Sequence, residues 1–207
     1  MGARVNLARK ARRIGIFGGS FDPVHNAHVA LARLALAELK LDELCWVPAG
    51  QPWQKARAMT PAVHREAMVR LAIEGVPHFA LDRCELERSG PSYTLDTVRT
   101  LQAREPGAEW FLVIGQDQYA AFHTWHGWQE LLGRITLAIA NRPDASATAD
   151  PQVLRVPHAA VSLPMMEVSS TDIRERMSAG LAVTDLVPPA VARYIDHHHL
   201  YPREPGS

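Results

Sequence analysis

His25 and His28 stand three residues apart, shortly after a glycine pair, Gly18 and Gly19. On a helix that spacing puts both imidazoles on one side of the first turn. The apolar run 14–17 reads as a short buried strand, and Gly18 and Gly19 permit a turn with bare main-chain N–H groups. Asp22 suits a helix N-cap and Pro23 a first helical turn, so a helix is expected over about 25–39. Strand, glycine turn and helix N-terminus together form an anion site, because free N–H groups and the helix dipole converge on one spot. Two imidazoles beside such a site suggest chemistry on phosphate. A rival chemistry uses the same residues: Asp22, His25 and His28 could ligate zinc or iron.

The elements that must position these residues alternate along the chain. Strands are expected at 14–17, 43–48, 78–82, 110–114, 135–140, 153–156 and 159–163. Helices are expected at 25–39, 61–73 with Thr60 as cap, 94–104, 128–132, 170–177 and 188–197. The fully apolar run 110–114 reads as a central strand buried on both faces. This alternation predicts an α/β fold: a Rossmann-like, doubly wound, mostly parallel sheet with a small C-terminal helical portion. In such a sheet, ligands bind beyond the carboxyl ends of the strands. Five polar clusters follow strand ends or open helices: 18–28, 48–55, 89–94, 115–117 and 168–174.

Composition narrows the function classes. The 207 residues suit one domain, 14–207, with C-terminal helices from about 170, preceded by a basic extension, 1–13, read as disordered. Formal net charge is zero, yet Arg4, Arg9, Lys10, Arg12 and Arg13 precede any acidic residue. Setting those five aside leaves 17 basic against 22 acidic side chains, a poor general binder of nucleic acid. No apolar run approaches the about 20 residues a membrane helix needs. Cys45 and Cys84 do not indicate a disulfide framework, and a reducing cytoplasm fits. The run His197-His198-His199, followed by Leu200 and Tyr201, reads as the end of a helix without chemistry of its own.

The motifs carry a resemblance. Gly18-Gly19-Ser20-Phe21-Asp22-Pro23-Val24-His25-Asn26-Ala27-His28 resembles the GG(T/S)FDPxHxGH signature of the nucleotidyltransferase superfamily. Val168-Ser169-Ser170-Thr171-Asp172-Ile173-Arg174 resembles its second motif, ISSTxIR. Within the superfamily the chain is most similar to the bacterial nicotinate-nucleotide adenylyltransferases, over residues 14–201. Ala27 departs from the pattern, which has glycine there.

The resemblance implies transfer of AMP from ATP to nicotinate mononucleotide, with Mg²⁺ arriving on ATP and no dedicated protein metal site. It implies that His25, His28 and Arg174 stabilise charge on the phosphates, and that main-chain N–H groups of Gly18, Gly19, Ser20 and Phe21 face the triphosphate. Ser169, Ser170 and Thr171 would open a second helix toward the same triphosphate, although a plain cap uses such residues equally well. Gly115 and Asp117 follow the central strand, where Asp117 could accept from a ribose or cap a helix. Trp125 would stack on the pyridine ring, with the N–H groups of Thr94 and His126 on the nicotinate carboxylate. Lys55 is the candidate for the mononucleotide phosphate, and equally a solvated lysine. The expected partners are ATP and nicotinate mononucleotide, without nucleic acid or membrane; a homo-oligomer stays open. Two alternatives remain: a sister nucleotidyltransferase acting on nicotinamide mononucleotide or another phosphate, and a metal-dependent hydrolase.

Overall fold

The computed structural model describes residues 10–51, 59–141, 149–162 and 168–202. Six strands form one sheet: β1 (Arg13–Gly19), β2 (Glu43–Pro48), β3 (Phe79–Leu81), β4 (Glu109–Gly115), β5 (Thr136–Asn141) and β6 (His158–Ser162). Their order is β3-β2-β1-β4-β5-β6, and every neighbouring pair is parallel. The order reverses between β1 and β4, so the crevice at that switch point opens where Gly19 and Gly115 end their strands.

Among the described residues the helices are α1 (Asn26–Glu38), α2 (Ala62–Ile73), α3 (Cys84–Glu87), α4 (Thr94–Arg104), α5 (Gln116–Ala120), α6 (Trp128–Leu132), α7 (Pro151–Leu154), α8 (Ser170–Ser178) and α9 (Pro189–His197). A 3-10 turn, Phe122–Thr124, links α5 to Trp125. The side-chain alternation of a strand divides the core in two. Phe17, Leu44, Trp46, Phe111 and Val113 face α1, α2, α8 and α9. Ile14, Ile16, Cys45, Val47, Leu112, Ile114, Leu137 and Ile139 face α4 to α7. Two-sided burial explains why β1, β2, β4 and β5 read as continuous apolar runs.

Three expectations need correction. Residues 153–156 were expected as a strand; α7 covers Pro151–Leu154 instead, because Asp150 caps it by accepting from the Gln152 N–H and Pro151 fills its first position. Thr60 does not cap α2, whose cap residue is Pro61; the Thr60 carbonyl accepts from Arg65. Arg12 and Arg13, assigned by charge to the basic extension, join the body: Arg12 pairs with Glu43 and Glu105, and Arg13 opens β1 and pairs with Glu109. Among the described residues no helix is long and apolar enough to cross a membrane.

Candidate active site

β1 carries Gly18 and Gly19 within the strand, and the turn follows at Asp22 and Pro23. A Cβ at Gly18 would meet only the Val47 carbonyl, at 4.0 Å, so the end of β1 is open on its outer side. Phe21 has a positive φ of 48°, a conformation non-glycine residues hold only where packing fixes it. Its ring supplies that packing: it is 1% exposed and lies against Phe17, Trp46 and His28 at centroid distances of 5.6, 5.3 and 5.2 Å.

Asp22 was expected to cap the helix. It does not; His25 is the cap residue of α1, and the Asp22 carboxylate is fully buried. Its Oδ1 accepts from the Tyr201 hydroxyl at 2.6 Å and its Oδ2 from the Thr60 N–H at 3.4 Å. Burial, and after it Asp22, raises the Tyr201 pKa, so the phenol stays a donor. Both carboxylate oxygens of Asp22 thus have partners other than the two histidines. Among the described residues no three His, Cys, Asp or Glu side chains form a group that could hold a metal ion.

His25 and His28 do share a face, and they stack, with ring centroids 3.6 Å apart and planes 25° from parallel. His25 is 5% exposed, and among the described residues its Nδ1 has no hydrogen-bond partner. Burial lowers its pKa to about 4, opposed in part by Asp172, so the ring is neutral near pH 7. His28 is half-buried, and its Nδ1 accepts from the His25 N–H at 3.2 Å. That bond places the His28 proton on Nε2, making that nitrogen a donor.

The second motif folds onto this turn. Ser169 caps α8: its Oγ accepts from the Asp172 N–H at 3.1 Å. Ser170 Oγ donates to the Pro23 carbonyl at 3.0 Å, and Arg174 donates to the Asp22 carbonyl at 2.8 Å and to Thr171 Oγ1 at 3.0 Å. The N-termini of α1 and α8 thus meet at one turn, although 147 residues separate Ser170 from Pro23. Two helix N-termini beside an arginine fork make an anion site stronger than either part alone.

Beside the glycines lies a cavity of about 170 Å³, lined among others by Gly18, Gly19, Ser20, Thr94 and Trp125. Trp125 is half-buried and leans on Phe122, with centroids 5.1 Å apart. Glu85, Ser92 and Thr97 also line the cavity; Thr97 Oγ1 donates to Glu85 at 2.7 Å. Gly127 follows at φ 65°, and a Cβ there would strike Leu95 at 2.4 Å, so the 125–127 segment sits directly on α4.

Other expected residues do not line the cavity. His126 is exposed and stacks on Tyr93, with centroids 4.4 Å apart. Asp117 is exposed in the first turn of α5, where the Gln118 side chain, not Asp117, accepts from the Gly115 N–H. Lys55 lies outside the described residues. A larger cleft, about 580 Å³, lies along α9 and the 180–184 loop and contains none of the sequence-expected site residues.

The model of the family described as Cytidylyltransferase-like matches residues 16–176, from the middle of β1 to the last turns of α8. A protein of Methylibium petroleiphilum named "Probable nicotinate-nucleotide adenylyltransferase" is 54% identical over 94% of this chain and 94% of its own length. One of the same name from Albidiferax ferrireducens is 49% identical over 92% of this chain and 98% of its own. The chain belongs to the nicotinate-nucleotide adenylyltransferase family. A structure titled "Plasmodium falciparum nicotinic acid mononucleotide adenylyltransferase complexed with NaAD" shares the family fold, with a TM-score of 0.75 at 20% identity over 93% of this chain and 98% of that one.

Several residues that brace these loops lie outside the two motifs. Arg65 is 1% exposed and donates to three main-chain carbonyls: Thr60 at 2.9 Å, Ser20 at 3.0 Å and Gly50 at 3.4 Å. Burial lowers its pKa, opposed first by Asp22 and then by Tyr201 and Glu85. A signal for it exists in the sequence: Arg65 falls on the buried stripe of α2, in register with Met68, Val69, Ala72 and Ile73. Tyr201 and Ser92 carry no comparable periodic mark.

Proposed function

We propose that this protein transfers the adenylyl group of ATP to nicotinate mononucleotide, giving nicotinate adenine dinucleotide and pyrophosphate. The observation that carries the reading is the cavity at the β1–β4 switch point, where the glycine end of β1 meets Thr94 and Trp125. The names of the relatives at 54% and 49% identity support the same substrates.

In this reading a phosphate oxygen of the mononucleotide attacks the α-phosphorus of ATP. The bond from that phosphorus to the α,β-bridging oxygen breaks, and its electron pair leaves with pyrophosphate. No side chain forms a covalent bond, so catalysis rests on alignment and on donors aimed at the phosphates. His28 Nε2–H, Arg174 and the N-termini of α1 and α8 supply those donors. His25 supports the His28 ring by stacking and faces the phosphates as a neutral imidazole. Gly18, Gly19, Ser20 and Phe21 offer main-chain N–H groups, with Ser169, Ser170 and Thr171 opposite on α8. Gly115 and Asp117 border the adenosine side. A divalent cation, Mg²⁺, travels with the triphosphate as part of that substrate, held by phosphate oxygens and water, and lowers the charge the attacking phosphate meets. Trp125 stacks on the pyridine ring, the N–H groups of Thr94 and His126 take the nicotinate carboxylate, and Lys55 takes the mononucleotide phosphate.

The test is pyrophosphate release from ATP with a panel of acceptor phosphates. Two N–H donors suit a carboxylate; an amide satisfies one and turns its NH₂ against the other, which is expected to cost about 1–3 kcal/mol. The acid is therefore preferred over the amide by at least about tenfold in kcat/KM. Equal efficiency or a preference for the amide would sink the acceptor assignment. No release with any acceptor would sink adenylyl transfer itself.

A further inference from the structure

We infer that Arg65 is a positioning residue that sets the distance between the two substrate subsites, by clamping the loop after β1 to the loop after β2. The inference rests on the adenylyl-transfer reading above.

Arg65 does not line the cavity, and its donors Nε, Nη1 and Nη2 are each spent on a different stretch of main chain. Nη1 holds the carbonyl of Ser20, the last residue of the phosphate-side segment lining the cavity. Nη2 holds the carbonyl of Gly50. Gly50 and Gln51 are in turn joined to Ser92: both N–H groups donate to Ser92 Oγ at 3.1 Å, and the Ser92 N–H donates back to the Gln51 carbonyl at 2.9 Å. Ser92 stands two residues before Thr94, on the acceptor side of the cavity. A continuous path of hydrogen bonds therefore runs from Ser20 through Arg65 and Gly50 to Ser92, linking residues on the two sides of the cavity. Gly50 also packs closely on the Glu85 main chain, where a Cβ would stand 2.2 Å from the carbonyl oxygen.

The chemistry explains why an arginine serves here. Burying a charge is costly, and an apolar residue would pack the α2 stripe with less penalty. A rigid planar fork, however, can hold carbonyls arriving from separate directions, which a lysine ammonium on a flexible stem cannot. Asp22 supplies the compensating charge, and Tyr201 fixes the carboxylate. A reaction without a covalent intermediate depends on the relative placement of its two substrates, and a misplacement of about 1 Å can cost about 10²-fold. Arg65 controls that placement without touching either substrate.

The test compares wild type, Arg65→Lys, Ser92→Ala and the double variant, each shown to be folded by circular dichroism. Turnover is measured with ATP and nicotinate mononucleotide, and each substrate's Kd is measured alone by calorimetry. The expected result for Arg65→Lys is a fall in kcat of about 10²-fold with each separate Kd held within about threefold. Ser92→Ala lowers kcat in the same direction, and the double variant is no worse than the worse single one, because both cut the same link. An unchanged kcat, a loss matched by the Kd of one substrate, or additive effects in the double variant would overturn the clamp. If Arg65→Lys does not fold, Ser92→Ala decides by the same split between kcat and Kd. A wild type that releases no pyrophosphate with any acceptor defeats the functional reading instead, and an active wild type with unimpaired variants defeats only the clamp.

Discussion

Replacing His25 with asparagine should yield a protein whose stability falls less on mild acidification than that of the wild type. The ring is 5% exposed, and burial lowers its pKa from 6.5 to about 4. One pKa unit corresponds to about 1.4 kcal/mol between protonation states, so this interval is worth about 3 kcal/mol at its limit. The direction follows from which state takes the proton first. Above the unfolded pKa of 6.5, His25 is neutral whether folded or not, and its full contribution is present. As pH falls below 6.5 the unfolded chain binds a proton that the folded chain refuses, so stability is lost until the folded pKa, about 4, is reached. At about pH 5 the loss amounts to about 2 kcal/mol. Urea unfolding followed by tryptophan fluorescence at about pH 7.5, 6 and 5 measures it, with the wild-type-minus-variant difference cancelling the other titrating groups. That difference should shift by about 2 kcal/mol against the wild type between the two extremes. A difference independent of pH would refute the claim that His25 is held neutral by burial.

His28→Ala should lower kcat by about 10²-fold or more in a folded protein, the scale of one lost donor to a developing oxyanion, and near-normal turnover would remove His28 from the mechanism. Trp125→Ala should raise KM for both the nicotinate and the nicotinamide mononucleotides while leaving their kcat/KM ratio within about threefold, since stacking cannot tell acid from amide. A collapsed ratio would make Trp125 a reader of the carboxylate rather than of the ring. Gly50→Ala places a methyl group 2.2 Å from the Glu85 carbonyl oxygen, so the close approach of Gly50 to Glu85 must open. It should cost about 1–3 kcal/mol in thermal unfolding, and an unchanged melting temperature would contradict the close approach.

The fold was legible because two-sided burial writes itself into the chain as apolar runs, and β1, β2, β4 and β5 all carry one. Residues 153–156 misled because a short apolar run fits a strand or a helix alike; the helical outcome is set locally by Asp150 and Pro151. At the site, motif spacing located His25, His28, Ser170 and Arg174 around one turn. It assigned Asp22 the wrong partner, because the hydroxyl that binds it comes from Tyr201, 179 residues downstream. No local pattern encodes such a bond. Ser92 fell within the expected cluster 89–94 but received no role of its own for a similar reason: its hydroxyl serves main-chain N–H groups of another loop, which any small polar residue could be imagined to do. Arg65 was different, since a charge within the apolar stripe of α2 is visible to periodicity alone.

The bond between Tyr201 and Asp22 also bears on synthesis at the ribosome. The turn that holds His25 and His28 is made within the first 28 residues, yet its partners come from the far end of the chain. Ser170 and Arg174 grip its main chain, the Asn26 N–H donates to the Leu186 carbonyl at 2.9 Å, and Tyr201 secures the carboxylate. At about 5–20 residues per second, translation needs about 10–35 s to travel from Asp22 to Tyr201. Throughout that interval the nascent chain carries the turn without these braces. Competence to bind nucleotide should therefore arise late, in one step with completion of α9, and truncated translation products should neither sequester ATP nor turn it over.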